Sequence, residues 1–219
     1  PGNAYAHYNR GISYDRGGDF DAAIADFTRA IELLPHNADF YHNRGFCHRK
    51  RGSFDAAIAD YSRALSINPR HFKAVYNRAF SHDKMGRWSK AVEDYSTAIQ
   101  IDPHLSAARF RLVALGVRAN EKYLAIEQYE QLVEQEPNRV DLYLTLGVLQ
   151  LDTGNYKEAL GSLQSALTVG PNDWNDQCDL AGALEDAGLL RESVRQLQTM
   201  IDRHGDRPDL HLRIADVWS

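Results

Sequence analysis

Histidine and cysteine are the side chains in this sequence best suited to catalysis or metal binding. The 219 residues contain nine His and two Cys. His42 and His48 are six residues apart and therefore lie on different faces of a helix, and no carboxylate supports them at metal-ligand spacing. Cys47 and Cys178 are too few and too far apart for a disulfide framework or a thiolate metal site. The sequence therefore predicts no metal, no cofactor and free thiols, which is typical of a reducing, intracellular and cytoplasmic setting.

Motifs of other catalytic classes are also absent from the sequence. There is no Gly-rich phosphate loop and no nucleophile elbow around a serine. We therefore predict that the chain is not an enzyme. The first residue is Pro1 rather than Met, so we expect a piece of a longer protein, and a catalytic domain elsewhere in that protein stays open.

The composition predicts a folded protein without a membrane segment. Hydrophobic residues make up 43% of the chain and charged residues 25%, which is enough apolar material for a core. No apolar run approaches the roughly 20 residues that a membrane-spanning helix needs. We therefore expect no membrane partner.

Prolines recur at intervals of 34 residues and reveal an internal repeat. These prolines are Pro1, Pro35, Pro69, Pro103, Pro137 and Pro171. When each unit is numbered so that this Pro is position 32, six units follow without an insertion: 4–37, 38–71, 72–105, 106–139, 140–173 and 174–207. Residues 208–219 are then predicted to be a capping helix or the first helix of a seventh unit, with Ala215 at position 8 and Trp218 at position 11.

Each unit has the residues of two helices and a tight turn. Position 15 is always Gly or Asn: Gly18, Gly52, Gly86, Asn120, Gly154 and Gly188. Because such residues tolerate the left-handed backbone that ends a helix, helix A is predicted to stop there. Asp19, Ser53 and Asn155 follow at once and are predicted to cap helix B with their side chains. Small residues at positions 8, 20 and 27 allow close helix packing beside a large residue at position 24.

This pattern resembles the tetratricopeptide repeat family over residues 4–207. The resemblance rests on small residues at positions 8, 20 and 27, an aromatic residue at 11 or 24 and Pro at 32. It implies an all-α fold, namely a right-handed α-solenoid of six helix-turn-helix repeats in a single array over residues 1–219. It also implies a scaffold or adaptor that binds a segment of another protein on its concave face, which helix A lines.

The six repeats are not equivalent. Repeats one to three have Arg at position 7 and Asp at position 23: Arg10, Arg44 and Arg78 with Asp26, Asp60 and Asp94. In repeats four to six position 7 is Leu, and position 23 is Gln or Ser. We therefore predict that each Arg pairs with the Asp of its own or the adjoining helix B, which is a structural role. Repeat four has Val113 at position 8 and Leu132 at position 27, so we expect a local change in superhelical pitch within 106–137.

The resemblance also indicates which residues face a ligand. In repeats one to three, the concave positions of helix A supply a candidate peptide-binding groove: Tyr5, Tyr8, Asn9, Ile12, His42, Asn43, Phe46, Arg49, Lys50, Lys73, Tyr76, Asn77, Phe80 and Lys84. Asn offers a donor and an acceptor to an extended peptide backbone, while Tyr and Phe supply contact area at low entropic cost. The alternative is that Asn at position 6 only suits a solvated, tightly curved face.

Charge favours an acidic or extended protein or peptide ligand. Residues 41–90 contain eleven Lys or Arg and three acidic residues, although the whole chain has a net charge of −5. The alternative is that the run from His48 to Arg51 is a solvated helix end. The carboxylate clamp of the family's co-chaperones is matched at only two of five positions, Asn43 and Lys73, so we do not expect that geometry.

Three other functions stay open. The chain could be the substrate-recruiting region of a larger enzyme. It could bind single-stranded RNA through the basic and aromatic residues of 41–90, although the acidic net charge and the 34-residue period disfavour nucleic acid. Leu144, Val148 and Leu151 could hold a second, more apolar ligand or pack within a larger assembly.

Overall fold

The computed structural model describes residues 2–171, 173–205 and 207–217, and all regular secondary structure in this part of the chain is α-helical. The helices are α1 (Ala4–Arg16), α2 (Phe20–Leu33), α3 (Ala38–Lys50), α4 (Phe54–Ile67), α5 (Phe72–Lys84), α6 (Trp88–Ile101), α7 (Ser106–Arg118), α8 (Lys122–Gln135), α9 (Val140–Asp152), α10 (Tyr156–Val169), α11 (Trp174–Asp186), α12 (Leu190–His204) and α13 (Pro208–Val217). The all-α helical-repeat class is confirmed. The predictions for Pro1 and Trp218 lie outside the described residues.

Position 15 ends helix A through its backbone conformation. All six residues at this position have positive φ, from 59° at Asn120 to 80° at Gly18. The left-handed helix end predicted from Gly and Asn is confirmed. Each of helices α1, α3, α5, α7, α9 and α11 begins at the first residue of a predicted repeat.

The start of helix B is less uniform than predicted. The side chain of Asp19 accepts a hydrogen bond from the amide of Ala22 at 3.0 Å. Ser53 and Asn155 occupy the same position, but neither side chain makes a capping hydrogen bond, so that prediction was wrong for both. The backbones of the three residues are nearly the same, with ψ of 77° at Asp19, 67° at Ser53 and 60° at Asn155, so the difference lies in the orientation of the side chain.

Close packing within the helix pairs that have Gly or Ala at position 8 depends on this small residue. A Cβ added to Gly11 would lie 2.8 Å from the ring of Phe27, and one added to Gly147 would lie 2.9 Å from Leu163. The alanines at positions 20 and 27 are fully buried in every repeat that has them. Helix A therefore crosses helix B at glycine or alanine, directly against the large side chain at position 24.

The chain forms two compact units, with the boundary between Leu112 and Val113 inside α7. In unit 1, before this boundary, the core includes Phe40 and Tyr61. In unit 2, after it, the core is aliphatic and includes Leu163. The boundary lies in the repeat with bulk at position 8. The altered pitch there, the right-handed superhelix and the single array of six repeats stay predictions.

Three Arg–Asp pairs join helix A to helix B in unit 1. Each guanidinium donates two hydrogen bonds to the carboxylate sixteen residues later, at 2.6–2.9 Å: Arg10 to Asp26, Arg44 to Asp60 and Arg78 to Asp94. Arg44 and Arg78 also donate to Thr28 and Ser62 of the preceding helix B, at 3.1 and 3.2 Å. The predicted structural pairing is confirmed, and it occurs within each repeat.

Among the described helices, none is both long and apolar enough to cross a membrane.

Candidate functional site

Helices α1, α3 and α5 of unit 1 carry all fourteen predicted groove residues, and we call the surface they form the A-helix face. Five of these residues are exposed: Tyr5, Asn9, Lys50, Lys73 and Lys84. Eight are half-buried: Tyr8, Ile12, Asn43, Phe46, Arg49, Tyr76, Asn77 and Phe80. His42 is buried, with 9% of its surface exposed. The face therefore offers most of the predicted residues to a ligand, while His42 lies beneath it.

Hydrogen bonds join the three helices of this face into one chain. The amide nitrogen of Asn77 lies 3.3 Å from Nε2 of His42, and Nδ1 of His42 lies 3.1 Å from Oδ1 of Asn43. The amide of Asn43 in turn donates to the hydroxyl of Tyr8 at 2.7 Å. Neutral His42 with its proton on Nδ1 satisfies every one of these contacts, with each donor pointing towards Tyr8. We call these four residues the hydrogen-bond chain.

The surroundings of His42 favour that neutral form. Burial, together with the ring of His71 stacked at 4.8 Å between centroids, lowers the pKa of His42 from 6.5 to about 4. A proton on Nε2 would also turn an acceptor into a donor that faces the amide of Asn77. His42 therefore positions Asn43 and Asn77, and part of the hydrogen-bonding capacity of both amides is used within the fold.

A second feature of the face is a stack of alternating aromatic and cationic side chains. The guanidinium of Arg49 lies 4.8 Å from the ring centroid of Phe46 and 4.8 Å from that of Phe80. The guanidinium of Arg111 lies 5.2 Å from the centroid of Phe80. We call Phe46, Arg49, Phe80 and Arg111 the cation–aromatic stack. Such contacts fix the position of a cation without neutralising its charge.

Two lysines flank the stack. The ammonium of Lys50 lies 5.4 Å from the ring centroid of Phe46, and that of Lys84 lies 5.5 Å from the centroid of Phe80. Four cations therefore surround two phenyl rings on one side of unit 1. This arrangement is suited to the binding of anionic groups.

The other cations of the basic segment 41–90 include several that the fold neutralises. Besides the paired Arg44 and Arg78, Arg51 lies 2.6 Å from Asp21, and Arg87 lies 2.9 Å from Asp55. In the described residues, the side chains of Asn9 and Lys73 have no hydrogen bond or ion pair with the rest of the A-helix face. Of the cations left without an ion pair among the described residues of this segment, Arg49, Lys50, Lys73 and Lys84 lie on helix A, where the groove was predicted, and Arg63, Arg70 and Lys90 lie elsewhere.

Arg111 is a site residue that the sequence analysis missed. It occupies position 6 of repeat four, in the same column as Asn9, Asn43 and Asn77. The predicted groove ended with repeat three because repeat four departs from the pattern elsewhere. Extending the position 6 column by one repeat would have found it.

Both cysteines are free thiols, of which Cys47 is buried and Cys178 is half-buried. Cys47 is fully buried, and its sulfur lies 3.6 Å from a carboxylate oxygen of Asp15. Burial and this carboxylate raise the pKa of the Cys47 thiol to about 12, which keeps it protonated and unreactive at neutral pH. Within the described ranges, no group of three or more His, Cys, Asp or Glu is placed to hold a metal ion.

Unit 2 has a separate open cleft of about 550 Å³. Its lining includes Leu144, Val148 and Cys178, with Asp179 and Asp186 also contributing. The predicted apolar residues Leu144 and Val148 therefore share one surface. Leu151 is half-buried and packs against the core of the unit instead.

Paired helices with a 34-residue period and an open face built from successive first helices define a helical-repeat protein. Three family models described as Tetratricopeptide repeat match residues 8–72, 72–105 and 124–177. The chain belongs to the tetratricopeptide repeat family, as its sequence pattern predicted.

Solved structures show the same fold at low sequence identity. The MamA protein is 20% identical over 76% of this chain and 91% of its own, with a TM-score of 0.65. The first TPR of Spaghetti (RPAP3), bound to the HSP90 peptide SRMEEVD, is 22% identical over 53% of this chain and 93% of its own, with a TM-score of 0.53. The Naa15/Naa10 structure bound to HypK-THB is 13% identical over 98% of this chain and 33% of its own, with a TM-score of 0.73. No curated protein sequence matches.

Proposed function

We propose that this chain is a non-enzymatic adaptor or scaffold whose A-helix face binds an extended, acidic segment of a partner protein. Tetratricopeptide repeat proteins generally mediate protein–protein interaction. The observation that carries the proposal is the set of unpaired cations and exposed polar and aromatic side chains that α1, α3 and α5 place on one surface. The free thiols are consistent with a reducing cytoplasm and a larger intracellular assembly as its setting.

The groove residues differ in how much of each side chain is free to contact a ligand. Tyr5, with 54% of its surface exposed, and Asn9 are free to meet a peptide at one end of the face. Asn43 and Asn77 each keep only part of their hydrogen-bonding capacity for a ligand, because the hydrogen-bond chain uses the rest. The cation–aromatic stack lies towards the other end and supplies the attraction for acidic groups.

Single-stranded RNA fits this surface less well than a peptide. Bases bind such proteins by stacking on aromatic rings. In this face, Arg49 lies over both Phe46 and Phe80, and Lys50 and Lys84 approach the same rings. A base could stack on either ring only by displacing a cation that would otherwise attract phosphate. The similar TPR structure that is bound to an HSP90 peptide is consistent with the choice of a peptide ligand.

Binding of random nine-residue peptides on beads tests the proposal. The most strongly selected peptides are then synthesised with a fluorophore, and their affinities are measured by fluorescence anisotropy. The double variant Asn9→Ala/Lys73→Ala should bind them about tenfold more weakly, since it removes one neutral and one charged contact. Both side chains are exposed, so the fold should not change.

The matched control is Ser89→Ala/Lys90→Ala on α6, which removes the same charge from an exposed site away from the face. The control should bind the selected peptides as the unaltered protein does. Equal losses in both variants, or no loss in either, would contradict binding at the A-helix face. Tight binding of a ten-nucleotide polyuridine, weakening steeply with salt, would instead favour RNA.

A further inference from the structure

The two arginines of the cation–aromatic stack differ from the three arginines at position 7 of helix A, Arg10, Arg44 and Arg78, in lacking an acidic partner. Arg10, Arg44 and Arg78 each make a bidentate pair with Asp. In the part of the chain that the structure describes, neither Arg49 nor Arg111 makes an ion pair, and the same holds for the flanking lysines. Four cations thus share one surface without an ion pair among the described contacts, and the acidic residue near them is Asp83, whose charge acts on Tyr95 together with those of Arg49 and Arg111.

Arg49 carries a further sign of an incomplete interaction. Its Nε atom is buried and has no hydrogen-bond partner among the described residues. A buried donor without a partner costs free energy, so it is usually paired in the functional state. Stacking between Phe46 and Phe80 holds the guanidinium in place, and the buried hydroxyl of Tyr61 lies close to it on its inner side. The N–H groups of Arg49 that face away from Tyr61 are the ones available to an acceptor.

The geometry of the stack limits the spacing of the groups that it can bind. The guanidinium carbons of Arg49 and Arg111 lie 4.8 and 5.2 Å from the centroid of the same ring, that of Phe80, so the two carbons are no more than about 10 Å apart. In an extended peptide, side chains i and i+2 point the same way and are roughly 6.6 Å apart. Two carboxylates with this spacing can each reach one guanidinium, whereas adjacent residues point to opposite sides.

We propose that Arg49 and Arg111 bind two acidic side chains at positions i and i+2 of the partner segment, each as a carboxylate–guanidinium pair. This inference rests on the proposed function, since it names what the A-helix face recognises. Lys50 and Lys84 flank the pair and attract the acidic segment at longer range. The recognised motif is therefore Asp or Glu, any residue, then Asp or Glu, in extended conformation.

The bead selection gives the first readout, from the sequences of the recovered peptides. Acidic pairs should be enriched at the i, i+2 spacing relative to i, i+1 and to the starting library. Peptides without this preference, or enriched in basic residues, would overturn the inference and leave peptide binding intact. If no peptide is recovered above background, the proposed function itself, peptide binding, would be contradicted.

Affinities of one selected peptide give the second readout. Replacing its two acidic residues with Gln should weaken binding at least tenfold, and so should Arg49→Gln/Arg111→Gln in the protein. When the altered peptide is combined with the altered protein, the fold-loss in affinity should be much smaller than the product of the two separate fold-losses, because each change removes the same carboxylate–guanidinium pairs. Losses that simply multiply would overturn the inference.

Two further variants separate recognition from folding and from general charge. Arg70→Gln/Lys90→Gln removes two exposed cations away from the face and should leave the affinity within about twofold. Arg111→Gln alone removes a half-buried side chain whose described side-chain contact is with Phe80, and it should lose the preference for one of the two acidic residues only. An Arg111→Gln protein that is folded by circular dichroism and keeps the full preference would overturn the proposal.

Discussion

His42 is a residue whose protonation the fold opposes. Its ring is buried, stacked on His71, and satisfied as a neutral donor and acceptor between Asn43 and Asn77. The charges that act on it most are those of His71, Asp39 and Lys73, and their effects partly cancel. The state of this one imidazole therefore affects how α3 and α5 are joined on the A-helix face.

Stability should fall in mild acid because of His42. Its pKa is about 4 in the folded protein and 6.5 without the fold. The contribution of neutral His42 to the free energy of unfolding is fully present above pH 6.5. It decreases as the pH falls towards 4, because His42 takes up a proton in the unfolded chain before it does so in the folded one. The pKa difference between the unfolded and folded states corresponds to about 3 kcal/mol of unfolding free energy. Urea unfolding at pH 7.5 and 4.5 should show about 2 kcal/mol less acid destabilisation in His42→Gln.

The exposed residue His36 provides the control. His36→Gln should lose as much stability between the two pH values as the unaltered protein does. Identical acid destabilisation of all three proteins would show that His42 is protonated without cost, contrary to its buried place in the hydrogen-bond chain.

At the scale of helices, the Arg–Asp pairs determine how unit 1 is held together. The carboxylate of Asp60 on α4 is buried and accepts two hydrogen bonds from Arg44 on α3. Through Thr28, Arg44 also contacts α2 of the preceding repeat. The second half of the chain has Leu at this position, so its helix pairs rely on apolar packing instead.

Asp60→Ala should cost about 3 kcal/mol of unfolding free energy, because it leaves a half-buried guanidinium without its counter-charge. Asp55→Ala on the same helix breaks an exposed pair with Arg87 and should cost less than about 1 kcal/mol. Urea unfolding of the two variants measures the difference. Similar costs for both would mean that the buried pair contributes no more than a surface one.

The sequence predicted the features that recur within one repeat. Glycine at position 15 predicted the helix ends, and Gly11 opposite Phe27 follows from the spacing of small and large residues. The covarying Arg and Asp predicted their pairing. The burial of His42 and the stacking of Arg49 on Phe80 were not predictable in this way. They depend on how neighbouring repeats are offset, which no single column of the repeat encodes.

At the scale of the whole molecule, charge is divided between the two units. Unit 1 has sixteen Lys or Arg and twelve Asp or Glu, while unit 2 has nine and eighteen. The acidic net charge of the chain therefore belongs to unit 2, and the unit that carries the A-helix face is basic. An acidic ligand would be attracted by one unit and repelled by the other, which favours binding at the predicted groove.

This division also predicts which part of the chain is sufficient for binding. In a repeat protein each repeat contacts only its neighbours, so a fragment can fold if its terminal helices stay paired. Gly116 of α7 packs directly against the start of α8, near the backbone of Glu121 and Ala125. A fragment of residues 1–136 keeps α7 covered by α8 and retains all of the A-helix face together with Arg111.

We expect this fragment to be helical by circular dichroism, to unfold cooperatively on heating, and to bind the selected acidic peptides within about threefold of the complete chain. The complementary fragment of residues 106–219 should fold but not bind them, because it has Arg111 without Arg49 or its two phenyl rings. Binding by both fragments would place an acidic-peptide site within residues 106–219. A folded 1–136 fragment without affinity would mean that residues 137–219 are needed for binding, since every cation of the stack is already present in the shorter chain.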